Sequence, residues 1–295
     1  MHTPARSARA NGIDLTYDSF GDANDPTVLL IMGLGTQMIG WDDGFCTQLA
    51  GHGRHVVRLD NRDIGKSTRF TQLGVPDIGQ VMHAALLGQP IKAPYLLSDM
   101  SDDAIGLLDA LGIASAHVVG ASMGGAIAQT MAIRNPSRLR TLTSIMASSG
   151  APGLPPPTPD AMQALLTPTP LDYAGYLDRY IKTWKILRAG SFPEDEARDP
   201  ERARAAFDRG LNPAGVARQL VAIIASGSRR SALLEVRTPT LVIHGDADPL
   251  VPLAHGQDVA AAVPGARLDV IPRLGHALPI SMWPQIVAAI AQHTK

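Results

Sequence analysis

Three observations predict an α/β fold with a mostly parallel central sheet flanked by helices and interrupted by a helical lid insert. Short apolar runs alternate with amphipathic stretches, as βαβ units require, because parallel neighbours need a crossover that a helix supplies. A serine sits between glycines where one such run meets a helical pattern, in Gly120-Ala121-Ser122-Met123-Gly124. A strand-free interval then separates residues 1–149 from 235–295.

The elements follow in order. Ile13–Phe20 alternates apolar and polar residues, the pattern of a half-exposed antiparallel edge strand. Thr27–Met32 is continuously apolar and ends in Gly33-Leu34-Gly35, as a strand buried on both faces would. His55–Asp60 is a further short strand. Ser98–Leu111 fits a helix, with Ile105, Leu107, Leu108 and Leu111 on one face and Ser98 or Ser101 available as N-cap. Ala116–Val119 reads as a buried strand before the serine, and Gly125–Arg134 as the helix after it, stopped by Asn135-Pro136. Leu139–Met146 is the next strand.

The rhythm breaks near residue 150. Ala151–Pro159 and Thr167–Pro170 are proline-rich, and prolines remove the amide donors a strand needs. Leu171–Arg188, Asp199–Arg209 and Val216–Ser226 read as helices. Strand patterns return at Thr240–His244 and Ala266–Ile271, and a helix over Trp283–His293 closes the chain. Residues 150–234 are therefore expected to form a lid, because inserts at the carboxyl ends of parallel strands cover the crevice where ligands bind.

Composition narrows the function classes. The chain has 295 residues, 45% hydrophobic, which suits a globular protein with a substantial core. Its formal net charge of −1 offers nothing to recruit nucleic acid or an anionic membrane, and 4% aromatic residues argue against base-stacking platforms. No apolar run has the length of a membrane span, and the first residues lack the apolar core of a signal peptide, so the expected location is the cytoplasm. Cys46 is the single cysteine, which excludes an internal disulfide and a cysteine-based metal cluster. It falls in a helix-like stretch, where it is expected to be a packed thiol.

The serine pattern gains force from what surrounds it. A tight strand-to-helix turn would hold Ser122 in a strained conformation with its hydroxyl exposed, and Gly120 and Gly124 would avoid clashes beside it. A serine hydroxyl needs a base, and the base needs a carboxylate to set its tautomer. Asp246 and Asp248 both follow the Thr240–His244 strand. Asp248 is the expected acid, since it lies past the glycine turn and before Pro249; Asp246 is expected to support the loop. His276, among nine histidines, is the one in a glycine-bearing loop after the final strand. The backbone amides of Met123 and Leu34 are expected to form an oxyanion hole, with Gly33 and Gly35 permitting close approach.

With Met32-Gly33-Leu34-Gly35, Gly120–Gly125, Lys182–Leu187, His244–Pro249 and Gly275–Pro279 in view, the chain resembles the α/β-hydrolase superfamily from about residue 12 to 292. Within it the sequence is similar to the aclacinomycin methylesterase group. That resemblance implies a triad of Ser122, Asp248 and His276, and cleavage of a small-molecule ester with neither cofactor nor metal. Two positions depart from the wider superfamily: Met32 replaces a common histidine and Asp63 a common glycine, changes the methylesterase group shares. The same triad would also serve perhydrolysis or lactone, amide or carbon–carbon cleavage. Epoxide hydrolysis and dehalogenation are disfavoured, because those relatives carry an aspartate where this chain has Ser122. A ligand receptor on a hydrolase fold is the rival from another class.

Some residues have plainer readings. Asp60 and Arg62 are expected to pair with each other or with nearby backbone. Trp184, with Tyr173, Tyr176 and Tyr180, either faces a substrate pocket or packs the lid. Arg229 and Arg230 are read as a solvated helix end.

Overall fold

A computed structural model describes residues 1–295. Eight strands form one sheet: β1 (His2–Ala10), β2 (Ile13–Phe20), β3 (Thr27–Ile31), β4 (His55–Leu59), β5 (Ala116–Ala121), β6 (Leu139–Ile145), β7 (Thr240–Gly245) and β8 (Arg267–Ile271). Their order is β1-β2-β4-β3-β5-β6-β7-β8. β1–β2 and β2–β4 pair antiparallel, and every other neighbouring pair is parallel.

The continuous apolar strands are explained by two cores, one on each face. Along β3, Leu29 and Ile31 face one way and Val28 and Leu30 the other, because side chains alternate. The first face is covered by α3 (Leu97–Ala110), through Met100, Ala104, Leu107 and Leu108, and by α4 (Met123–Arg134), through Ala126, Ile127 and Met131. The second is covered by Phe45, Cys46 and Leu49 of α1 (Asp43–Ala50) and Trp283, Ile286 and Ile290 of α12 (Trp283–His293). Phe45 meets Trp283 edge-on with ring centroids 6.1 Å apart. Each such large side chain contributes roughly 1.5–3 kcal/mol when removed from water. Cys46 is fully buried, and that burial raises its thiol pKa, as befits packing and not reactivity.

Two further helices, α2 (Ile78–Leu86) and α11 (Leu253–Ala262), lie outside the elements expected from sequence. Between β6 and β7 the chain forms α5 (Pro159–Leu166), α6 (Tyr173–Leu187), α7 (Pro193–Glu196), α8 (Asp199–Arg209), α9 (Pro213–Ala225) and α10 (Arg230–Leu233), with no strand. No helix is long and apolar enough to cross a membrane.

The structure corrects several expectations. β2 is not the edge, because β1 pairs outside it. β1 is almost wholly exposed and polar, so it carries no apolar alternation; backbone pairing holds it, and Pro4 falls where the register shifts. Neither Ser98 nor Ser101 caps α3, which begins at Leu97: the Asp99 carboxylate accepts the Leu96 amide at 2.7 Å, and Ser101 is buried. Asp60 and Arg62 do not pair with each other, but both reach nearby backbone as expected, Arg62 donating to the Asp99 carbonyl at 3.1 Å. Arg62 pairs with Asp103 (2.6 and 2.7 Å), while Asp60 accepts the Met38 and Lys66 amides and pairs with Arg209 of α8. Nor is Arg229 solvated. It is half-buried, donating to Gln129 Oε1 (3.1 Å) and the Ser148 carbonyl (2.8 Å), and burial lowers its pKa to about 10. Arg230 pairs with Asp258.

Asp63 has φ 69°, a left-handed conformation that explains why glycine would suit the position. Its buried carboxylate receives the Arg218 guanidinium of α9 (2.7 and 2.8 Å), Tyr95 Oη (2.8 Å) and the Phe70 amide (2.8 Å). The helices between β6 and β7 are thus joined to the loop after β4 by charge pairs at Asp60–Arg209 and Asp63–Arg218.

Candidate active site

At the carboxyl end of β5 the chain turns directly into α4, and Ser122 is the turning residue, at φ 56° and ψ −122°. Such a conformation costs a non-glycine residue about 1–3 kcal/mol and persists only when its surroundings over-determine it. They do. The Ser122 amide donates to the Ile145 carbonyl of β6 at 2.9 Å, and its carbonyl accepts the Gly125 and Ala126 amides of α4. Side chains are excluded beside it: a Cβ on Gly120 would strike the Gly124 carbonyl, and one on Gly124 the Ile31 carbonyl of β3.

Ser122 Oγ lies 2.9 Å from His276 Nε2, and His276 Nδ1 lies 2.7 Å from Asp248 Oδ2. The carboxylate can only accept at neutral pH, so Nδ1 carries the hydrogen and Nε2 accepts the Ser122 hydroxyl. Asp248 Oδ1 accepts the Leu250 and Val251 amides at 2.9 and 2.8 Å. Burial pushes the Asp248 pKa up, but the charge and hydrogen bond of His276 and the Val251 amide outweigh it, so the net shift is downward. Asp246 braces the loop instead: its Oδ1 accepts the Arg273 amide at 2.6 Å, tying the end of β7 to the segment that carries His276.

Two groups near this row carry no signal in the sequence. His244 is fully buried with Nε2 3.6 Å from Asp248 Oδ2; Nε2 donates to the Val251 carbonyl (2.7 Å), and burial lowers its pKa. It is therefore a neutral neighbour of Asp248. The His276 amide donates to the Leu187 carbonyl at the end of α6 (2.7 Å), a backbone contact that no residue pattern announces.

The loop after β3 lies close by. A Cβ on Gly33 would stand 3.0 Å from Ser122 Cβ. The amides of Leu34 and Met123 donate to no acceptor in the protein. Both remain free for an external oxygen.

These groups open into a cavity of about 650 Å³. One wall is α6, where Tyr176, Tyr180 and Trp184 recur at four-residue spacing with successive ring centroids 5.9 Å apart. Trp184 lines the cavity; Tyr173 instead packs on Phe207 and Arg204. Burial pushes the Tyr176 pKa up to about 12 and raises that of Tyr180 too, so both phenols are neutral. The adjoining wall, α8 with its flanks, is charged but paired: Arg198 with Asp42, Arg202 with Asp195, Arg209 with Asp60. In sequence this four- and seven-residue charge spacing resembles a solvated face, and only the tertiary fold turns it inward. No group of three His, Cys, Asp or Glu side chains is placed to hold a metal ion.

The family model of the alpha/beta hydrolase fold matches residues 26–281. Rhodomycin D methylesterase DauP of Streptomyces sp. (strain C5) is 31% identical, over 99% of this chain and 98% of that protein. Rhodomycin D methylesterase DnrP of Streptomyces peucetius is also 31% identical at the same coverage. A 2-hydroxymuconate semialdehyde hydrolase of Pseudomonas sp. (strain CF600) is 29% identical over 67% of this chain and 66% of that protein. Among solved structures, a hydrolase from Pseudomonas aeruginosa PA01 superposes with a TM-score of 0.71 at 26% identity, covering 98% of this chain and 97% of that one.

Proposed function

The chain belongs to the α/β-hydrolase family, and on that premise we propose that it is a serine hydrolase of carboxylic esters acting through Ser122, His276 and Asp248. One observation carries the reading: the unbroken row from Ser122 Oγ through His276 to Asp248 at 2.9 and 2.7 Å.

In this mechanism His276 Nε2 takes the Ser122 proton as Oγ attacks the ester carbonyl carbon. Asp248 stabilises the imidazolium that results. The free amides of Leu34 and Met123 stabilise the negative oxygen of the tetrahedral intermediate. His276 then protonates the leaving alkoxide, giving an acyl-enzyme and an alcohol. It next activates a water that releases the acid and restores Ser122. Residues 150–234 act as a cap over residues 1–149 and 235–295, and Trp184 lines the substrate pocket from the cap side. Methyl esters are the favoured substrates, because the two relatives matched over nearly the whole chain are methylesterases by name.

The test is hydrolysis of p-nitrophenyl butyrate and a panel of methyl esters by wild-type protein and Ser122→Ala, with a fluorophosphonate as active-site label. The expected result is a loss of about 10³-fold or more in kcat and loss of labelling. Wild-type turnover by Ser122→Ala would overturn the reading. The 29% identity to a semialdehyde hydrolase favours a second reading, carbon–carbon cleavage on the same row. Turnover of a vinylogous 1,5-diketone with inertness towards every ester would select it.

A further inference from the structure

Gln219 lies on α9, in the cap, yet its side chain ends in the core. It is fully buried. Oε1 accepts the Gly35 amide at 3.0 Å, and Nε2 donates to the Arg62 carbonyl at 2.8 Å. The amide orientation is forced, since one partner can only donate and the other only accept.

Gly35 belongs to the loop that carries the Leu34 amide. At φ 67° it occupies the left-handed region, and a Cβ there would lie 3.1 Å from Val216 of α9. The peptide linking Leu34 to Gly35 is held at both ends: its N–H by Gln219, and its carbonyl by the Thr36 hydroxyl at 3.3 Å. The preceding carbonyl, Gly33, accepts the Thr36 amide at 3.2 Å. The loop contributes little holding force of its own, because a glycine turn has many accessible conformations. Gln219 is the buried side chain that fixes its last peptide. Val216 on the same helix packs against Gly35, and Arg218 locks that helix to Asp63.

We propose that Gln219 is a positioning residue for the oxyanion hole, holding the Leu34–Gly35 peptide so that the Leu34 amide stays aimed at the substrate oxygen. The cap thereby completes the catalytic apparatus as well as covering it. This rests on the serine-hydrolase reading above and adds to it that one of the two oxyanion donors is set from the cap.

The experiment compares wild-type protein with Gln219→Met, which keeps the bulk and loses both bonds, and with Gln219→Glu. Fluorophosphonate labelling at Ser122, absent in Ser122→Ala, establishes the underlying reading separately; its absence from the wild-type protein would overturn that reading first. For Gln219→Met, kcat on p-nitrophenyl butyrate falls about 10- to 100-fold, somewhat less than removing an oxyanion donor outright. KM stays within threefold. Affinity for a trifluoromethyl ketone, whose adduct carries the oxyanion, weakens by the same factor as kcat. For Gln219→Glu, kcat relative to wild type rises as pH falls from 8 to 6, because the protonated carboxyl can repeat both bonds. A Gln219→Met kcat within twofold of wild type, a loss with unchanged ketone affinity, or a Gln219→Glu ratio flat with pH overturns the proposal. If Gln219→Met does not fold, the pH ratio of Gln219→Glu decides.

Discussion

Asp248 is pulled in two directions, towards neutrality by burial and towards charge by His276 and the Val251 amide, and charge prevails. Its role in the proposed mechanism is therefore to fix which imidazole nitrogen carries the proton. Asp248→Asn keeps the shape and loses that control, so kcat on p-nitrophenyl butyrate is expected to fall about 10⁴-fold with little change in melting temperature. His117, far from this row at the start of β5, illustrates the opposite balance. It is 4% exposed, hydrogen-bonded to Thr141 Oγ1 at 3.0 Å, and burial with nearby Arg140 and Arg54 lowers its pKa to about 4. The unfolded chain, with an ordinary value of about 6.5, binds this proton first as pH falls. Stability is thus lost between about pH 6.5 and 4, and no more is lost through this group below that. His117→Asn should reduce the drop in urea-unfolding free energy between pH 7 and 5 relative to wild type.

The seam between α9 and the loop after β4 depends on a buried pair. Arg218 and Asp63 are 0–1% exposed at the side chain. Arg218→Met strands the Asp63 carboxylate and is expected to cost about 3–5 kcal/mol in urea unfolding. Adding Asp63→Asn removes the stranded charge, and asparagine tolerates the left-handed backbone, so the double variant should be more stable than Arg218→Met alone. Elements with a strong pattern are legible from sequence. Thr27–Ile31 shows the apolar run that burial on both faces requires, and Asp199–Arg209 forms the helix expected over those residues. β1 was illegible for a physical reason: an exposed edge strand is held by backbone bonds, which leave no mark on side-chain polarity. α2 was missed although Ile78, Val81, Met82 and Ala85 have helical spacing, because it is a short helix of nine residues in a stretch with no neighbouring strand pattern to frame it.

At the scale of the whole molecule, the proposed mechanism puts chemistry and selectivity in different layers. The row of Ser122, His276 and Asp248 comes from three strand ends of one rigid sheet, while the aromatic wall comes from α6. Trp184→Ala should therefore raise KM for a bulky 2-naphthyl ester by about tenfold, through lost apolar contact, and change KM for p-nitrophenyl acetate less than twofold. The order of serine, acid and histidine along the chain made the side chains of the row legible. Gln219, the Leu187 carbonyl and the inward charges of α8 were not, since each depends on how the insert returns to the core. Four of those returns lie nearest the site: Gln219 to Gly35, Arg218 to Asp63, Arg209 to Asp60, and Leu187 to His276. Others, such as Arg198 to Asp42, Asn212 to Asp63 and Asp195 to the Ile280 amide, run along the same seam. Together they act as stitches along one continuous seam. For anyone diversifying this scaffold, Thr183 and Trp184 are the positions to vary, while Tyr176 packs on Phe207 and the stitches should be left alone. On the proposed mechanism, a foreign segment grafted between β6 and β7 without Gln219 would bring a new pocket and leave the Leu34 amide unheld.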